Sequence, residues 1–236
     1  MMPRRAADRL IVALDFTAPA PALRMARRLQ GVVSTVKVGS ALFTASGPSI
    51  IRTLRALGFR IMLDLKFFDI PNTVALSCRA AVLHRVASLT VHARGGQKML
   101  EAAVQGSRQA ARTLRIAPPH VLAVTVLTST GGGRSTTREV LALARTAHAA
   151  GCDGVVASAR EARAIRARFG ERLRVVCPGI RPREASLADQ RRVATPAQAV
   201  MDGADWLVVG RPITDARDPR TAAQTMRQEL EASVGC

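Results

Sequence analysis

Lysine is scarce in this 236-residue chain, which has three lysines, Lys37, Lys66 and Lys98, among 35 basic residues. Arginine supplies nearly all of the positive charge, so lysine is not needed for that purpose. Because an arginine cannot release its proton in a protein whereas a lysine can, a lysine at a defined place is a candidate proton donor. Lys37 and Lys66 both lie at the ends of short apolar segments, which makes them the first candidates for chemistry.

Aromatic residues are also few, since the chain has no tyrosine, one tryptophan and six phenylalanines. Proteins that bind nucleic acids often combine clustered basic residues with aromatic rings that stack on bases. The formal charge here is +18, but the arginines are dispersed over the whole chain. This distribution argues against nucleic-acid binding, and an arginine-rich RNA-binding protein remains an alternative. The charge favours small anionic substrates through long-range attraction.

Cysteine patterns typical of metal sites are missing. None of the four cysteines forms a Cys-x-x-Cys pair or a zinc-like spacing with the four histidines, so reduced thiols in the interior are expected. These cysteines are Cys78, Cys152, Cys177 and Cys236.

Long apolar runs are missing as well, which excludes a membrane-spanning helix. Near the N-terminus the apolar segment 10–14 resembles the start of a signal peptide. Asp15 interrupts it after five residues, and no small-residue cleavage site follows. The segment is therefore interpreted as a first strand, and the protein is predicted to stay in the cytoplasm.

Short apolar, β-branched segments recur along the chain and predict eight strands, at 9–16, 33–39, 60–66, 88–93, 121–128, 154–159, 174–179 and 206–210. Segments with helical periodicity lie between them, among them 20–30, 50–57 and 160–169. One strand and one crossover helix per roughly 30 residues is the size of a βαβ repeat. The pattern predicts a single domain over 1–236 with a (β/α)8 TIM barrel fold. An open doubly wound sheet is the alternative, but no dinucleotide-type glycine fingerprint follows the first strand.

Charged residues follow several of these strands. In a barrel the functional groups gather at the carboxyl ends of the strands, where Asp15, Lys37, Asp64 and Lys66 are all expected. Residues 64 and 66 are two apart on one strand and therefore point to the same side. A structural ion pair could explain Asp64 and Lys66 alone, and a helix cap could explain Asp69. The whole set together favours a catalytic array of alternating lysines and aspartates.

Two later segments have the composition of anion sites. Segment 178–182, which reads PGIRP, places Arg181 after the seventh strand, and Gly210 and Arg211 follow the eighth. Barrels commonly bind phosphate with the loops after strands seven and eight, and arginine binds phosphate bidentately. Tight turns with a surface charge are the alternative. His92 is interpreted as a structural, hydrogen-bonded histidine.

These segments together resemble the orotidine 5'-phosphate decarboxylase family. Segment 64–73, DLKFFDIPNT, carries the most specific part of the resemblance. The DxKxxD core alone is shared with related sugar-phosphate decarboxylases and synthases. The IPNT extension, together with the PGIRP and GRP segments, narrows the resemblance to the orotidylate decarboxylase branch. Further similar segments are 12–15 (VALD), 36–39 (VKVG), 90–93 (TVHA), 125–129 (TVLTS), 178–182 (PGIRP), 189–192 (DQRR), 195–196 (TP) and 210–213 (GRPI).

The resemblance implies decarboxylation of orotidine 5'-phosphate to uridine 5'-phosphate, the last step of pyrimidine nucleotide synthesis, without a cofactor or a metal. It also implies a homodimer with shared active sites. One subunit would supply Lys37, Asp64 and the proton donor Lys66, and the other would supply Asp69, Ile70 and Thr73. The remaining residues implied to bind substrate are Asp15 with Lys37 at the ribose, Thr128 and Ser129 at the pyrimidine, and Arg181, Gln190, Gly210 and Arg211 at the phosphate.

One segment departs from the resemblance. After residues 127–129 the family leads us to expect an acidic, helix-forming stretch, whereas this chain has TGGGR at 130–134. Segment 128–137 is therefore either a mobile lid or a plain surface loop. The alternative within the same group of barrels is a sugar-phosphate lyase, which would be expected to use a divalent metal.

Overall fold

The computed structural model describes residues 6–127, 133–181 and 194–234. The strands are β1 Leu10–Ala13, β2 Thr35–Gly39, β3 Arg60–Phe67, β4 Ser88–His92, β5 His120–Val124, β6 Gly154–Val156, β7 Arg174–Pro178 and β8 Trp206–Val209. The α-helices are α1 Ala6–Arg9, α2 Pro19–Leu29, α3 Ser40–Ser46, α4 Ser49–Ala56, α5 Pro71–Leu83, α6 Gly96–Thr113, α7 Arg134–Ala149, α8 Ala159–Phe169, α9 Pro196–Met201, α10 Arg211–Thr214 and α11 Pro219–Val234. Short 3-10 helices occupy Ala93–Gly95 and Gly170–Arg172.

The eight strands form a closed parallel barrel. Each strand pairs with the next along the chain, and β1 closes the barrel by pairing with β8, with Val12 opposite Val209. The predicted TIM barrel is therefore confirmed, and the open-sheet alternative is wrong. The fifth strand ends at Val124, before the end predicted at residue 128. Val126 lies beyond the last ladder pair and is buried because it lines the mouth of the barrel, so its apolar side chain does not indicate strand pairing.

Side chains alternate between the two faces of the barrel wall. On β1, Leu10 and Val12 pack outward against the helices, whereas Ile11 and Ala13 point inward. The inward cluster is small and apolar, and its other buried members are Met62, Leu122, Val176 and Val208. This period of two follows from the pleat of a strand. The inner core fills the middle of the barrel and leaves the carboxyl end to polar residues.

The helices bury one apolar face each on the outside of the barrel. In α2 the buried residues are Ala22, Met25, Ala26 and Leu29, which have the spacing of one helical face. Pro19 begins this helix, where a missing N–H costs no hydrogen bond. The predicted helices at 20–30, 50–57 and 160–169 are confirmed to within one residue by α2, α4 and α8.

A polar and aromatic group closes the amino end of the barrel. The Arg174 guanidinium lies 5.1 Å from the centre of the Trp206 ring. Arg174 Nη1 also lies 3.2 Å from His120 Nε2, and the His120 and Trp206 rings are 5.4 Å apart. Since this end is filled by stacked side chains, the space for a ligand lies at the opposite end.

The cysteines that the structure describes are free thiols inside the protein. Cys78, Cys152 and Cys177 are all buried, as predicted, and Cys236 lies outside the described residues. Burial raises the pKa of Cys78 to about 12 and that of Cys152 to about 12, so neither forms a reactive thiolate at neutral pH. Among the described residues, no helix is long and apolar enough to cross a membrane.

Candidate active site

The inward positions of neighbouring strands bring charged residues together at the carboxyl end of the barrel. Asp15 continues the inward series of Ile11 and Ala13, and Asp64 continues that of Met62. Lys37 lies in the middle of β2 and is buried, with 8% of its surface exposed. The residues line one cavity because the period of the strands aims them all into the mouth.

Asp15, Lys37, Asp64 and Lys66 form a chain of alternating charges. Lys37 Nζ lies 2.7 Å from Asp15 Oδ1 and 3.5 Å from Asp64 Oδ2. Lys66 Nζ lies 2.8 Å from the same Asp64 oxygen. The Asp64 and Lys66 side chains therefore meet, as their spacing predicts. Each buried charge has an opposite charge beside it, which offsets the cost of removing it from water.

Local backbone geometry aims Lys66 at this array. The register of β3 against β4 shifts between Leu63 and Phe67, which marks a bulge in β3. Within this bulge Lys66 has φ = 50°, a left-handed conformation that residues other than glycine adopt at a cost of about 1 kcal/mol or more. The hydroxyl of Thr90 on β4 accepts a hydrogen bond from Lys66 N at 2.9 Å and donates one to Asp64 Oδ1 at 2.9 Å.

The surroundings of Asp64 keep its carboxyl ionised. Burial by itself raises the pKa of Asp64. The positive charges of Lys37 and Lys66, together with hydrogen bonds from Lys66 and Thr90, outweigh burial and hold that pKa below its ordinary value of 3.8. Asp64 is therefore a fixed negative charge at neutral pH, between two ammonium groups.

Gly39 allows the first part of the array to close up. A Cβ atom at this position would lie 3.1 Å from Asp15 Oδ1 and 3.1 Å from Lys37 Nζ, which is too close unless those groups move. The absence of a side chain at the end of β2 lets the Asp15 and Lys37 side chains meet over the backbone.

Two arginines line the same cavity. Its volume is about 660 Å³, within the range of small-molecule sites, and its lining includes Arg181 after β7 with Gly210 and Arg211 after β8. Gly179 has φ = 76° and turns the chain at the end of β7. Arg181 is buried, and its backbone N–H donates to the Ala194 carbonyl at 3.0 Å. The lining of the cavity thus includes the lysine–aspartate array and a part with two arginines, called the arginine side.

Comparisons with known proteins identify the family of the chain. A sequence model of the orotidine 5'-phosphate decarboxylase / HUMPS family matches residues 8–226. The chain belongs to this family. The resemblance recognised in the sequence is therefore confirmed.

Individual relatives of the family match over nearly their whole length. Orotidine 5'-phosphate decarboxylase of Halorhodospira halophila is 50% identical over 234 residues, covering 95% of this chain and 97% of that protein. The protein of the same name from Moorella thermoacetica is 45% identical and covers 98% and 95%. A crystal structure of orotidine 5'-phosphate decarboxylase from Lactobacillus acidophilus has a TM-score of 0.83 at 35% identity, covering 94% of this chain and 99% of that one.

The predicted site residues after β3 lie away from the cavity of their own chain. Asp69, Ile70 and Thr73 are not part of its lining. Asp69 is exposed and its Oδ1 accepts a hydrogen bond from the N–H of Ile70 at 2.6 Å. Within the described residues Asp69 makes no ion pair. Ile70 has 66% of its surface exposed, which is unusual for isoleucine.

Three of the family residues expected from the sequence, Thr128, Ser129 and Gln190, lie outside the described residues. The segment 130–132, which departs from the family pattern, lies outside them too. His92 is described and is half-buried, and its ring lies 5.4 Å from that of Phe68. Burial, then the charges of Arg94 and Lys66, lower the pKa of His92, so the ring is neutral at pH 7.

Sequence reasoning missed some residues of the site. Asp215 and Thr214 line the arginine side of the cavity, and their position one helical turn after Gly210 was the available signal. Thr90 belongs to the TVHA segment of the family resemblance, and the strand period is the signal that places it on an inward position of β4. Among the described residues, no three His, Cys, Asp or Glu side chains are grouped to hold a metal ion.

Proposed function

We propose that this protein decarboxylates orotidine 5'-phosphate to uridine 5'-phosphate and carbon dioxide, the last step of UMP biosynthesis. The observation that carries the proposal is that the lysine–aspartate array and two arginines line one cavity, in a chain of this family. Such a cavity suits a substrate that carries both a reacting group and a phosphate.

In the proposed reaction the bond between C6 of the pyrimidine and the carboxylate carbon breaks, and its electron pair stays on C6. The ammonium of Lys66 stabilises the negative charge that develops there and then donates a proton to C6. Carbon dioxide leaves, and the neutral amine of Lys66 regains a proton from water. A lysine suits this role because it both carries charge and gives up a proton.

Asp64 has two roles in this proposal. Its negative charge favours the ammonium form of Lys66, whose Nζ is 2.8 Å away. It also lies where the substrate carboxylate would approach Lys66, and the repulsion between the two anions is relieved as carbon dioxide leaves. The low pKa of Asp64 supports both roles, since each requires an ionised carboxyl.

The other residues are assigned to binding. Asp15 and Lys37, which are hydrogen-bonded to each other, would hold the ribose hydroxyls. Arg181, Gly210 and Arg211 would hold the phosphate, because guanidinium groups match phosphate oxygens in charge and geometry. Three further residues are assigned from family resemblance alone. Thr128 and Ser129 would contact the pyrimidine, and Gln190 would contact the phosphate. The binding free energy from the phosphate, although it lies far from C6, can be used to lower the activation barrier at C6.

We also propose a homodimer in which Asp69, Ile70 and Thr73 complete the site of the other subunit. Exposed apolar side chains support it, because four of the six large apolar side chains exposed among the described residues occur between the end of β3 and the end of α5; they are Phe68, Ile70, Leu76 and Leu83. Exposed apolar residues concentrated in one segment are typical of a protein–protein contact. Asp69, without an ion pair in its own described chain, is free to serve a neighbouring subunit.

Three further parts of the proposal concern the protein as a whole. We propose one barrel domain over 1–236, a cytoplasmic location and a reaction without cofactor or metal. The closed strand order supports the first, because β1 and β8 come from opposite ends of the chain. Free buried thiols fit a reducing compartment.

The test is to follow the ultraviolet absorbance of orotidine 5'-phosphate with purified protein in excess metal chelator. We expect full conversion to uridine 5'-phosphate, identified by chromatography. If the substrate stays intact, or if turnover requires an added divalent metal, the proposal is wrong. Turnover of a sugar phosphate in its place would favour the related lyase.

A further inference from the structure

Thr90 connects the two central residues of the array through one hydroxyl. The residue is fully buried in β4, with 0% of its surface exposed. Its Oγ1 donates to Asp64 Oδ1 and accepts from the backbone N–H of Lys66, each at 2.9 Å. The hydroxyl has one proton to donate, and the ionised Asp64 carboxylate can only accept it. The backbone N–H of Lys66 can only donate, so the hydroxyl oxygen must accept from it, and the directions of both hydrogen bonds are fixed.

This hydroxyl lies opposite the bulge of β3. Leu63 pairs with Leu89 and Phe67 with Val91, so the three residues 64–66 face the single residue Thr90. The backbone of Lys66 therefore lacks a regular ladder partner at this point, and the Thr90 side chain takes that place. The other described residues with positive φ that are not glycine, Arg85 and Arg115, lie in turns after helices, where this conformation is ordinary.

The hydrogen bond to Asp64 also decides which carboxylate oxygen faces the lysines. Thr90 occupies Oδ1, and both Lys37 and Lys66 approach Oδ2. Without the hydroxyl, the carboxylate could rotate about its last bond, and the Lys66 backbone would lose its partner inside the bulge. Both changes would move the ammonium group relative to its carboxylate.

We propose that Thr90 is a positioning residue, whose hydroxyl holds the Lys66 backbone in its left-handed conformation and orients Asp64 toward the two lysines. As far as it concerns catalysis, this inference rests on the proposed function. Thr90 itself does not line the cavity, so it acts through Asp64 and Lys66 rather than on the substrate.

The test compares Thr90→Val, which keeps the shape and removes the hydroxyl, with Thr90→Ser, which keeps the hydroxyl. The matched control is Thr125→Val. Thr125 is equally buried near the same end of the barrel, but its hydroxyl donates to the Val156 carbonyl at 2.8 Å. For Thr90→Val we expect kcat to fall about 10- to 100-fold, because small displacements of a reacting group have effects of this size. KM should stay within about twofold, and Thr90→Ser and Thr125→Val should keep most of kcat.

A second measurement needs no substrate. With three lysines in the chain, ¹³C labelling at lysine Cε yields three signals, which Lys98→Arg and Lys37→Arg assign. When the pH is lowered, the chemical shift of the Lys66 signal should show an inflection as Asp64 takes up a proton. Thr90→Val should move this inflection to higher pH, because the hydrogen bond from Thr90 lowers the Asp64 pKa. Thermal unfolding of each variant shows whether it is folded.

Three results would overturn the inference: an unchanged kcat in Thr90→Val, an unmoved inflection, or an equal loss of kcat in Thr125→Val. A wild-type protein that leaves orotidine 5'-phosphate intact contradicts the proposed function instead. In that case the inflection alone decides whether Thr90 orients Asp64.

Discussion

Lys37 and Lys66 reach the same carboxylate oxygen, Oδ2 of Asp64, at 3.5 Å and 2.8 Å. Lys37 has a second carboxylate partner in Asp15, whereas Lys66 has Asp64 alone among the described residues. Among the described residues, Lys37 therefore lies between two carboxylates, whereas Lys66 has a carboxylate on one side only. Under the proposed dimer, Asp69 of the second subunit would approach Lys66 from the other side.

Replacing Lys66 tests the proton donor. We expect Lys66→Ala to lower kcat by about 10⁴-fold or more, the upper size of a general-acid effect, because charge stabilisation is lost as well. Lys66→Arg keeps the charge but cannot give up a proton, so it should be nearly as inactive. The exposed Lys98 on α6 is the matched control, and Lys98→Ala should behave as wild type. Wild-type turnover by Lys66→Ala would refute this assignment.

Mixing two inactive variants tests the shared site. Lys66→Ala and Asp69→Asn should each be inactive as homodimers. After the two are unfolded and refolded together in equal amounts, half of the dimers should contain both chains, each with one intact site, which gives about a quarter of the wild-type activity. Analytical ultracentrifugation should show a dimer throughout. No recovery of activity in the mixture would place Asp69 in the site of its own chain, and an active Asp69→Asn homodimer would place it outside the site.

The stability of the array should depend on pH through Asp64. Because its folded-state pKa is lowered, the ionised carboxylate stabilises the fold above the ordinary value of 3.8, and this contribution is lost as pH falls through the lowered pKa. We expect Asp64→Asn to lower the free energy of unfolding by about 1–3 kcal/mol at pH 7. In urea denaturation the difference from wild type should shrink below pH 4. If the difference in free energy of unfolding between wild type and Asp64→Asn stays constant with pH, Asp64 is not the source of the pH dependence.

Truncating the substrate tests the arginine side of the cavity. A charged hydrogen bond to phosphate contributes about 1.5–3 kcal/mol, so Arg211→Ala should lower kcat/KM for orotidine 5'-phosphate about 10- to 100-fold. The same variant should turn over orotidine, which has no phosphate, at the wild-type rate. Arg163 on α8 pairs with Asp202 outside the cavity, and Arg163→Ala should leave both substrates unaffected. An equal loss with both substrates would show that Arg211 does not act on the phosphate.

Much of the fold was readable from local patterns. The helical period predicted α2, α4 and α8 to within a residue, and the regular alternation of strands and helices predicted the barrel. Strand ends were less accurate, as for β5, because an apolar residue such as Val126 can be buried by the mouth of the barrel rather than by strand pairing. An apolar residue in the sequence indicates burial, but it does not show whether the burial comes from strand pairing or from the mouth of the barrel.

The sequence by itself determined the charged groups of the array, because the scarcity of lysine and the DxKxxD spacing identify groups that carry charge and protons whatever their surroundings. Only the tertiary structure decided how those groups act on each other. Asp64 and Thr90 are distant in sequence, and their contact depends on the pairing of β3 with β4 and on a bulge that no local pattern reveals. Charge interactions fall off with distance and hydrogen bonds require contact, so the low pKa of Asp64 and the orientation of Lys66 exist only in the folded chain.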